Sequence, residues 1–317
     1  MTLHRTEHDV LVAAPAAEVF ALLDSLTDWP LLMSRIVHVE PLAQDGPARL
    51  AHFWALSARG IDDAVCRVAP GPDPAELNMA LVATRPPASA LNLRWRAEPD
   101  GAEHSKVTLT QEFEAIADDP DAVRLLRRLL GALAESDLSS LRLAAAIHAA
   151  YPACRFSFGN RVPLDRDASA DAAFDFLSRP EKWPSHLPGV VLVSVNEERP
   201  GVQRLEMTIE EPDGSMREER AARLCFPQRH TIVQKDLRPR APLFSHTAVY
   251  SVTRAMDGEA GSVACRHTMV LDPLAVAPAF GPDATFAHAA EAVRRTVSVE
   301  SLLTLRWAAL VGELGST

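Results

Sequence analysis

The distribution of apolar and polar positions divides the chain into segments with two different periods. Residues 16–26, which follow Pro15, place apolar side chains at helical spacing. From residue 36 to residue 116 the period shortens to two, and turn pairs such as Asp45-Gly46 separate the alternating runs. Helical spacing returns after Pro120 and continues to about residue 151. With a short strand over residues 9–13 and a second short helix over residues 31–34, these patterns predict a strand, two short helices, a meander of antiparallel strands and one long helix.

The second half of the chain repeats this order. A strand is expected over residues 156–165, a helix over 170–177, strands from 190 to about 271, and a last helix over 284–310. A Pro- and Ala-rich insert, PLAVAPAFGPDA, precedes that helix. A repeat this long indicates that each copy is a complete domain. We expect residues 1–151 and 152–317 to form the two domains, with the boundary at Tyr151-Pro152.

Particular residues recur at an almost constant spacing between the copies. The matched pairs are 154 residues apart for Phe20 and Phe174, Trp29 and Trp183, and Pro30 and Pro184, then 156 apart for Arg67 and Arg223 and 155 apart for Trp95 and Tyr250. The spacing therefore predicts that Arg67 and Arg223 occupy equivalent positions.

Composition excludes several classes of protein. Lys and Arg number 32 against 42 Asp and Glu, a net charge of −10 with no basic cluster, so nucleic acid and anionic membranes are not expected partners. The four cysteines are far apart, and no metal-ligand cluster or phosphate-binding glycine loop is present, so no metal or cofactor is expected. The N-terminus lacks an apolar signal core and no apolar run could span a membrane, which predicts a soluble cytoplasmic protein.

The order of elements also predicts an interior site. A curved antiparallel sheet must cover its apolar face, and the long helix is the element in each copy of sufficient length. Where a sheet wraps a helix incompletely, a cavity remains that suits a small, mostly apolar ligand.

Several motifs resemble those of a known family. They are Trp29-Pro30 after the first helix, Arg67 in DDAVCRV, Trp95 ending LNLRW and the segment TLTQEFEA, with Trp183-Pro184, Arg223 and Tyr250 in the second copy. Their order resembles the START/Bet v 1-like helix-grip superfamily, and within it the didomain aromatase/cyclases of bacterial type II polyketide synthases. The resemblance implies an α+β chain of two tandem helix-grip domains, each a curved antiparallel sheet around a long C-terminal helix.

The same resemblance implies a function. Such proteins hold a poly-β-ketone chain, delivered on an acyl carrier protein, direct aldol closure of its first ring and promote dehydration to an aromatic ring. An Arg at the position of Arg67 is the family's main functional residue, and the position of Trp95 belongs to the pocket wall. This chain departs from the family at Ile36 and Val65, where some members carry Tyr and Ser. A monomer with a pseudo-dimeric pair of domains is expected.

The spacing of charged residues suggests candidate catalytic groups. Asp63 and Arg67 lie four apart on a predicted strand, so their side chains share one face, and Glu219 and Arg223 repeat the arrangement. A carboxylate could hold the guanidinium, which would polarise a ketone and stabilise an enolate. Because Arg is a poor acid, a water held by the pair is the more credible proton donor. The alternative is that these are ion pairs on the solvent face of the sheet.

Other residues are candidates for the wall of the pocket: Trp54, Trp95, Tyr250, Met33, Ile36, Val65 and His246. Aromatic residues on strands are also common in plain cores. His38, His52, His186, His246 and His267 are possible bases, but none recurs in the other copy, which favours a surface or core role for each one.

Two functions remain open, an aromatase/cyclase and a non-catalytic carrier of a lipid or aromatic metabolite. A buried Arg favours the enzyme, because an unpaired buried charge is costly in a lipid cavity. Since Trp95 and Leu91 in one copy correspond to Tyr250 and His246 in the other, we expect the first copy to close the ring and the second to assist dehydration or complete the assembly. The alternative is that the second copy is a degenerate scaffold that stabilises the first.

Overall fold

The computed structural model describes residues 2–255 and 260–315, and the chain divides into two compact units between Pro152 and Ala153. Each unit contains one seven-stranded antiparallel sheet and one long helix near its C-terminal end, as predicted. Among the described residues, no helix combines the length and the hydropathy needed to cross a membrane.

In the first unit the sheet has the strand order β1-β7-β6-β5-β4-β3-β2. Its elements are β1 (His4–Val12), α1 (Ala16–Asp24), α2 (Trp29–Leu32), β2 (Ile36–Asp45), β3 (Ala48–Ser57), β4 (Gly60–Pro70), β5 (Glu76–Leu81), β6 (Ala88–Pro99), β7 (Ser105–Ala115) and α3 (Pro120–Ala150). Consecutive strands pair as a meander, and β1 joins β7 at the far edge.

The second unit has the equivalent order β8-β14-β13-β12-β11-β10-β9. Its elements are β8 (Arg155–Leu164), α4 (Ala170–Ser178), β9 (Val190–Arg199), β10 (Val202–Glu210), β11 (Met216–Phe226), β12 (Thr231–Asp236), β13 (Leu243–Thr253), β14 (Gly261–Leu271), α5 (Pro273–Phe280) and α6 (Phe286–Leu314). The Pro- and Ala-rich insert folds as α5, since Pro273 occupies the first turn and Asp272 caps it by accepting a bond from the Leu274 amide.

The long helices are amphipathic and bury one stripe each. In α3, buried residues including Leu126, Leu130 and Leu141 recur three or four apart, and this face packs on β1 and β7. In α6, Val293, Val297 and other residues four apart form the stripe that packs on β8 and β14. Each helix therefore covers one part of its sheet.

The repeated Trp-Pro motifs anchor the chain after the first helix of each unit. The indole of Trp29 donates to the Leu23 carbonyl at 3.0 Å, and that of Trp183 donates to the Phe176 carbonyl at 3.1 Å. Both tryptophans are buried. These bonds and the burial of both rings make the two tryptophans structural anchors.

Candidate functional site

Strand register shows which side chains face the interior of each unit. Residues paired on neighbouring strands point to the same face, and residues an odd number apart on one strand point to opposite faces. In the second unit Tyr250 pairs with Ile232, which pairs with Cys225, two residues after Arg223. Arg223 and Tyr250 therefore share a face.

The first unit gives the opposite result for Arg67. Trp95 pairs with Leu77, which pairs with Pro70, three residues after Arg67. Trp95 packs against the buried Trp29 ring, with centroids 5.9 Å apart, so its face is the interior one. Arg67 lies on the outer face, its side chain is 54% exposed, and its closest carboxylate is Asp45 at 3.6 Å.

The predicted equivalence of Arg67 and Arg223 is therefore wrong. The pairings above match Pro70 with Cys225, a spacing of 155, so the counterpart of Arg223 is Val68. The 156-residue spacing of the two arginines exceeds the local register by one residue, and a shift of one residue on a strand moves a side chain to the other face.

The predicted carboxylate–arginine pairs also do not form. Asp63 Oδ2 forms a hydrogen bond with His52 Nε2 at 2.7 Å. Its other oxygen, Oδ1, accepts a hydrogen bond from Arg85 Nη2 at 3.1 Å. Glu219 pairs with Arg217, two residues away on the same strand. Asp63 belongs to the outer face with Arg67, whereas Glu219 faces the interior with Arg223.

Arg223 ties the sheet to the end of α4. Its side chain is buried, with Nη1 donating to Gln203 Oε1 at 3.0 Å and Nη2 donating to the Leu177 carbonyl at 2.6 Å. Leu177 lies in the last turn of α4, where carbonyls lack helical partners and the helix dipole favours a cation. Burial lowers the pKa of Arg223 below its ordinary value.

The predicted wall residues of the first unit separate into two groups. Trp95, Met33 and Ile36 are buried on the interior side. Trp54 and Val65 lie on the outer face, where Trp54 stacks on His52 with ring centroids 3.8 Å apart and Val65 pairs with His52. The prediction that Trp54 and Val65 line an interior pocket is wrong, because they share the face of Arg67.

A cavity of about 530 Å³ lies inside the second unit. Apolar side chains from the sheet and from α6, such as Met207, Ile209 and Leu303, form part of its wall. Tyr250, His246 and Glu219 from the sequence prediction also line it, together with Trp183, Asp236, His267, Glu300 and Ser301. The described residues that line the cavity include Trp183 but not Arg223, whose guanidinium carbon lies 5.4 Å from the Trp183 ring centroid.

Three polar residues on neighbouring strands form a hydrogen-bonded chain in this cavity. Asp236 Oδ2 lies 2.7 Å from His246 Nδ1, and His246 Nε2 lies 3.0 Å from His267 Nδ1. Burial, followed by the neighbouring His246, lowers the pKa of His267 to about 3, so this ring is neutral. Burial alone would raise the pKa of Asp236, but the charge and hydrogen bond of His246 outweigh it and hold the pKa below its ordinary value.

Tyr250 supplies a hydroxyl to the same cavity. Burial raises its pKa well above the ordinary value, so the group stays protonated and can donate a hydrogen bond. The cavity thus combines apolar walls, a hydroxyl donor and a carboxylate–imidazole pair, which suits a flat ligand with several oxygen atoms.

The chain is similar to known proteins along its whole length. Residues 4–146 match the family model described as polyketide cyclase/dehydrase and lipid transport. The actinorhodin polyketide synthase bifunctional cyclase/dehydratase of Streptomyces coelicolor is 30% identical over 318 residues, covering 96% of each protein. The chain belongs to this family of bifunctional cyclase/dehydratases. The granaticin relative from Streptomyces violaceoruber is 29% identical over 309 residues, covering 97% of this chain and 94% of that protein.

A solved structure agrees with the family assignment. The di-domain ARO/CYC BexL from the BE-7585A biosynthetic pathway matches with a TM-score of 0.85 at 29% identity, covering 98% of this chain and 99% of that one. The predictions of two tandem helix-grip domains and of a polyketide cyclase/aromatase are confirmed, and the carrier alternative is not favoured.

Sequence reasoning missed Asp236 altogether and favoured a surface or core role for His267 over its role as a possible base. The available signal was strand alternation, because His246 lies four residues before Tyr250 and so shares its face. The first unit could not reinforce this signal, because register places Leu81, Leu91 and Gln111 at the positions equivalent to Asp236, His246 and His267.

Proposed function

We propose that this polyketide cyclase/dehydratase binds its polyketide intermediate in the cavity of the second domain and dehydrates the newly closed ring there. The observation that carries the proposal is the cavity of about 530 Å³, whose wall combines apolar side chains with Asp236 and His246. This volume is within the range of roughly 300 to 1,000 Å³ usual for small-molecule sites. The apolar wall would hold the folded carbon chain, and the polar groups would face its ketone and hydroxyl oxygens.

We further propose that the intermediate enters while it is attached to an acyl carrier protein. Glu218 and Val299 line the cavity and are exposed, so this side opens to solvent and could admit a tethered chain. We also propose that the protein is a monomer, which light scattering during size-exclusion chromatography would test.

We propose no substrate contact for Arg67, Asp63, Val65 or Trp54, because they lie on the outer face of the first sheet. Glu219 and Tyr250 remain candidates for binding in the second-domain cavity. For Arg223, its bonds to Gln203 and Leu177 support a structural role in place of the expected catalytic one.

Filling the cavity tests this proposal. Met207 lines it, whereas Leu192 on the neighbouring strand is 62% exposed and pairs with Thr208 on the opposite face. Met207→Trp should divert a reconstituted minimal polyketide synthase toward spontaneously cyclised products, because the added ring occupies the space of the intermediate. Leu192→Trp adds the same ring outside and should leave the products unchanged. Normal products from a folded Met207→Trp protein would refute the proposal.

A further inference from the structure

The hydrogen-bonded chain in the second domain presents a carboxylate at one end to the cavity. Both ring nitrogens of His246 are engaged, Nδ1 with Asp236 and Nε2 with His267. His267 is 2% exposed, and its Nε2 atom is buried without a hydrogen-bond partner among the described residues. The Asp236 side chain is 26% exposed, and its Oδ1 has a long contact of 3.5 Å with the Gln234 amide. A ligand in the cavity can therefore reach the carboxylate.

The protons of this chain can be placed from the same contacts. Asp236 accepts from His246 Nδ1–H, which leaves one proton between His246 Nε2 and His267 Nδ1. If His267 donates that proton, its buried Nε2 keeps a lone pair. If His246 donates it, His246 carries a full positive charge beside Asp236. Either arrangement holds an ionised carboxylate at the wall of the cavity.

We propose that Asp236 is the acid–base residue of the dehydration step, with His246 and His267 as positioning residues that keep its carboxylate oriented and ionised. The inference rests on the proposed function of the second-domain cavity and names its catalytic group. The step is an elimination from a cyclised β-hydroxyketone, which needs a base near the carbon beside the ketone and an acid near the hydroxyl.

One carboxylate can serve both needs. Asp236 Oδ1 removes the proton from the carbon between ketone and carbinol, and the C–H electron pair forms the enolate. The bond from carbon to the hydroxyl then breaks, and the hydroxyl leaves as water with the proton that Asp236 has just taken. The carboxylate is regenerated, and no oxidant, reductant or cofactor is consumed. A carboxylate is a competent base for carbon acids of this kind.

Several other charged groups around the cavity are paired with one another. Arg217 forms ion pairs with Glu211, Glu219 and, at 3.1 Å, Glu300, and Arg240 lies 3.2 Å from Glu300. The titratable and charged groups that face Asp236 from the packed elements include Arg217 and Glu219 on β11, Arg240 before β13, His246 and Tyr250 on β13, His267 on β14 and Glu300 on α6. Of these groups His246 is the one in direct contact with the Asp236 carboxylate, and against the effect of burial its charge and hydrogen bond keep the pKa of Asp236 below its ordinary value.

The isosteric variant Asp236→Asn tests the catalytic role. Asn can still accept from His246 Nδ1–H but cannot take a proton, so the full-length variant should form the dehydrated ring about 100-fold more slowly or worse. The cyclised β-hydroxyketone should accumulate during reconstitution with a minimal polyketide synthase, measured by mass spectrometry and NMR. Asp171→Asn is the matched control, because Asp171 also bonds a histidine, His230, at 2.7 Å but on the exposed surface near α4. A dehydration rate for Asp236→Asn within about twofold of Asp171→Asn overturns the proposal.

The positioning role of His246 has its own readout. His246→Asn keeps a donor at the place of Nδ1 but removes the imidazole that lowers the pKa of Asp236, so Asp236 should become protonated at higher pH. The acidic limb of the pH–rate profile for dehydration should then move upward. A uniform loss of rate at every pH, with no movement of the limb, would contradict this role. His267→Asn, which also keeps a donor at Nδ1, should retain more activity than His267→Leu.

The two proposals fail in different ways. If Met207→Trp leaves products normal, the cavity is not the site and the proposed function falls. If Met207→Trp diverts products while Asp236→Asn dehydrates at the normal rate, the cavity is the substrate site but Asp236 is not its acid–base residue. Circular dichroism and thermal melting confirm that each variant is folded before rates are compared.

Discussion

Arg223 and Arg67 differ by one position in register and therefore experience opposite environments. Arg223 is removed from water, and hydrogen bonds from Nη1 to Gln203 and from Nη2 to Leu177 replace part of its hydration. Arg67 remains hydrated on the outer face, where a single exposed ion pair contributes little to stability. At the level of single residues, position on the strand decides the role more than residue type does.

Replacement of these two arginines should have unequal effects on stability. Arg223→Met should lower the free energy of unfolding by about 2 to 4 kcal/mol, because the Leu177 carbonyl and Gln203 lose their charged donor. Arg67→Met should change it by less than about 0.5 kcal/mol. Urea unfolding of both variants followed by circular dichroism provides the measurement. Equal changes in the free energy of unfolding for the two variants would show that the buried hydrogen bonds of Arg223 do not stabilise the fold.

At the scale of elements, three consecutive strands build the candidate site. Asp236 ends β12, His246 lies near the start of β13, and His267 lies within β14, so antiparallel pairing brings residues 31 positions apart in the chain into one line. Burial of a neutral histidine in β14 also makes this part of the fold sensitive to acid.

The pH dependence of stability should reveal the buried histidine. The pKa of His267 is about 3 in the folded chain, against about 6.5 for an ordinary histidine. Between these values the unfolded chain binds a proton that the folded chain does not, so stability is full above about pH 6.5 and falls as the pH decreases. The slope from one such group approaches about 1.4 kcal/mol per pH unit. His267→Gln, which introduces the residue found at the equivalent position 111, should flatten the urea-unfolding series between pH 6.5 and 5. An unchanged slope would mean that another group dominates.

At the scale of the whole molecule, the fold was predictable from sequence and the site was predictable in part. Alternation of apolar residues and the repeated Trp-Pro motifs depend on many positions at once, so small errors in register do not affect them. The faces of Arg67 and Val65 depended on one residue of register, which a spacing between copies cannot supply.

The hydrogen-bonded chain was beyond sequence reasoning for a different reason. Asp236, His246 and His267 form a recognisable site only when all three are in contact. Pairing of three strands brings them together in the second copy, and the equivalent positions of the first copy carry other residues. Tyr250 and His246, both candidates for the wall of the pocket from sequence, lie four apart on β13 and line the cavity.

In both domains an arginine caps the end of the first helix. The arginine comes from the first strand of a hairpin in one domain and from the second strand of the equivalent hairpin in the other. In the first domain Arg49 on β3 donates to the Asp24 carbonyl at 2.9 Å and faces Val68 on β4. In the second domain, the cation is Arg223 on β11, and Gln203 on β10 faces it. A genetic crossover that exchanged one strand of this hairpin between the two halves of the gene would create either two adjacent guanidinium groups or none. Only exchange of both strands keeps a single cation in each hairpin. Exchange of a single strand is therefore disfavoured, and this part of the two gene halves can diverge independently.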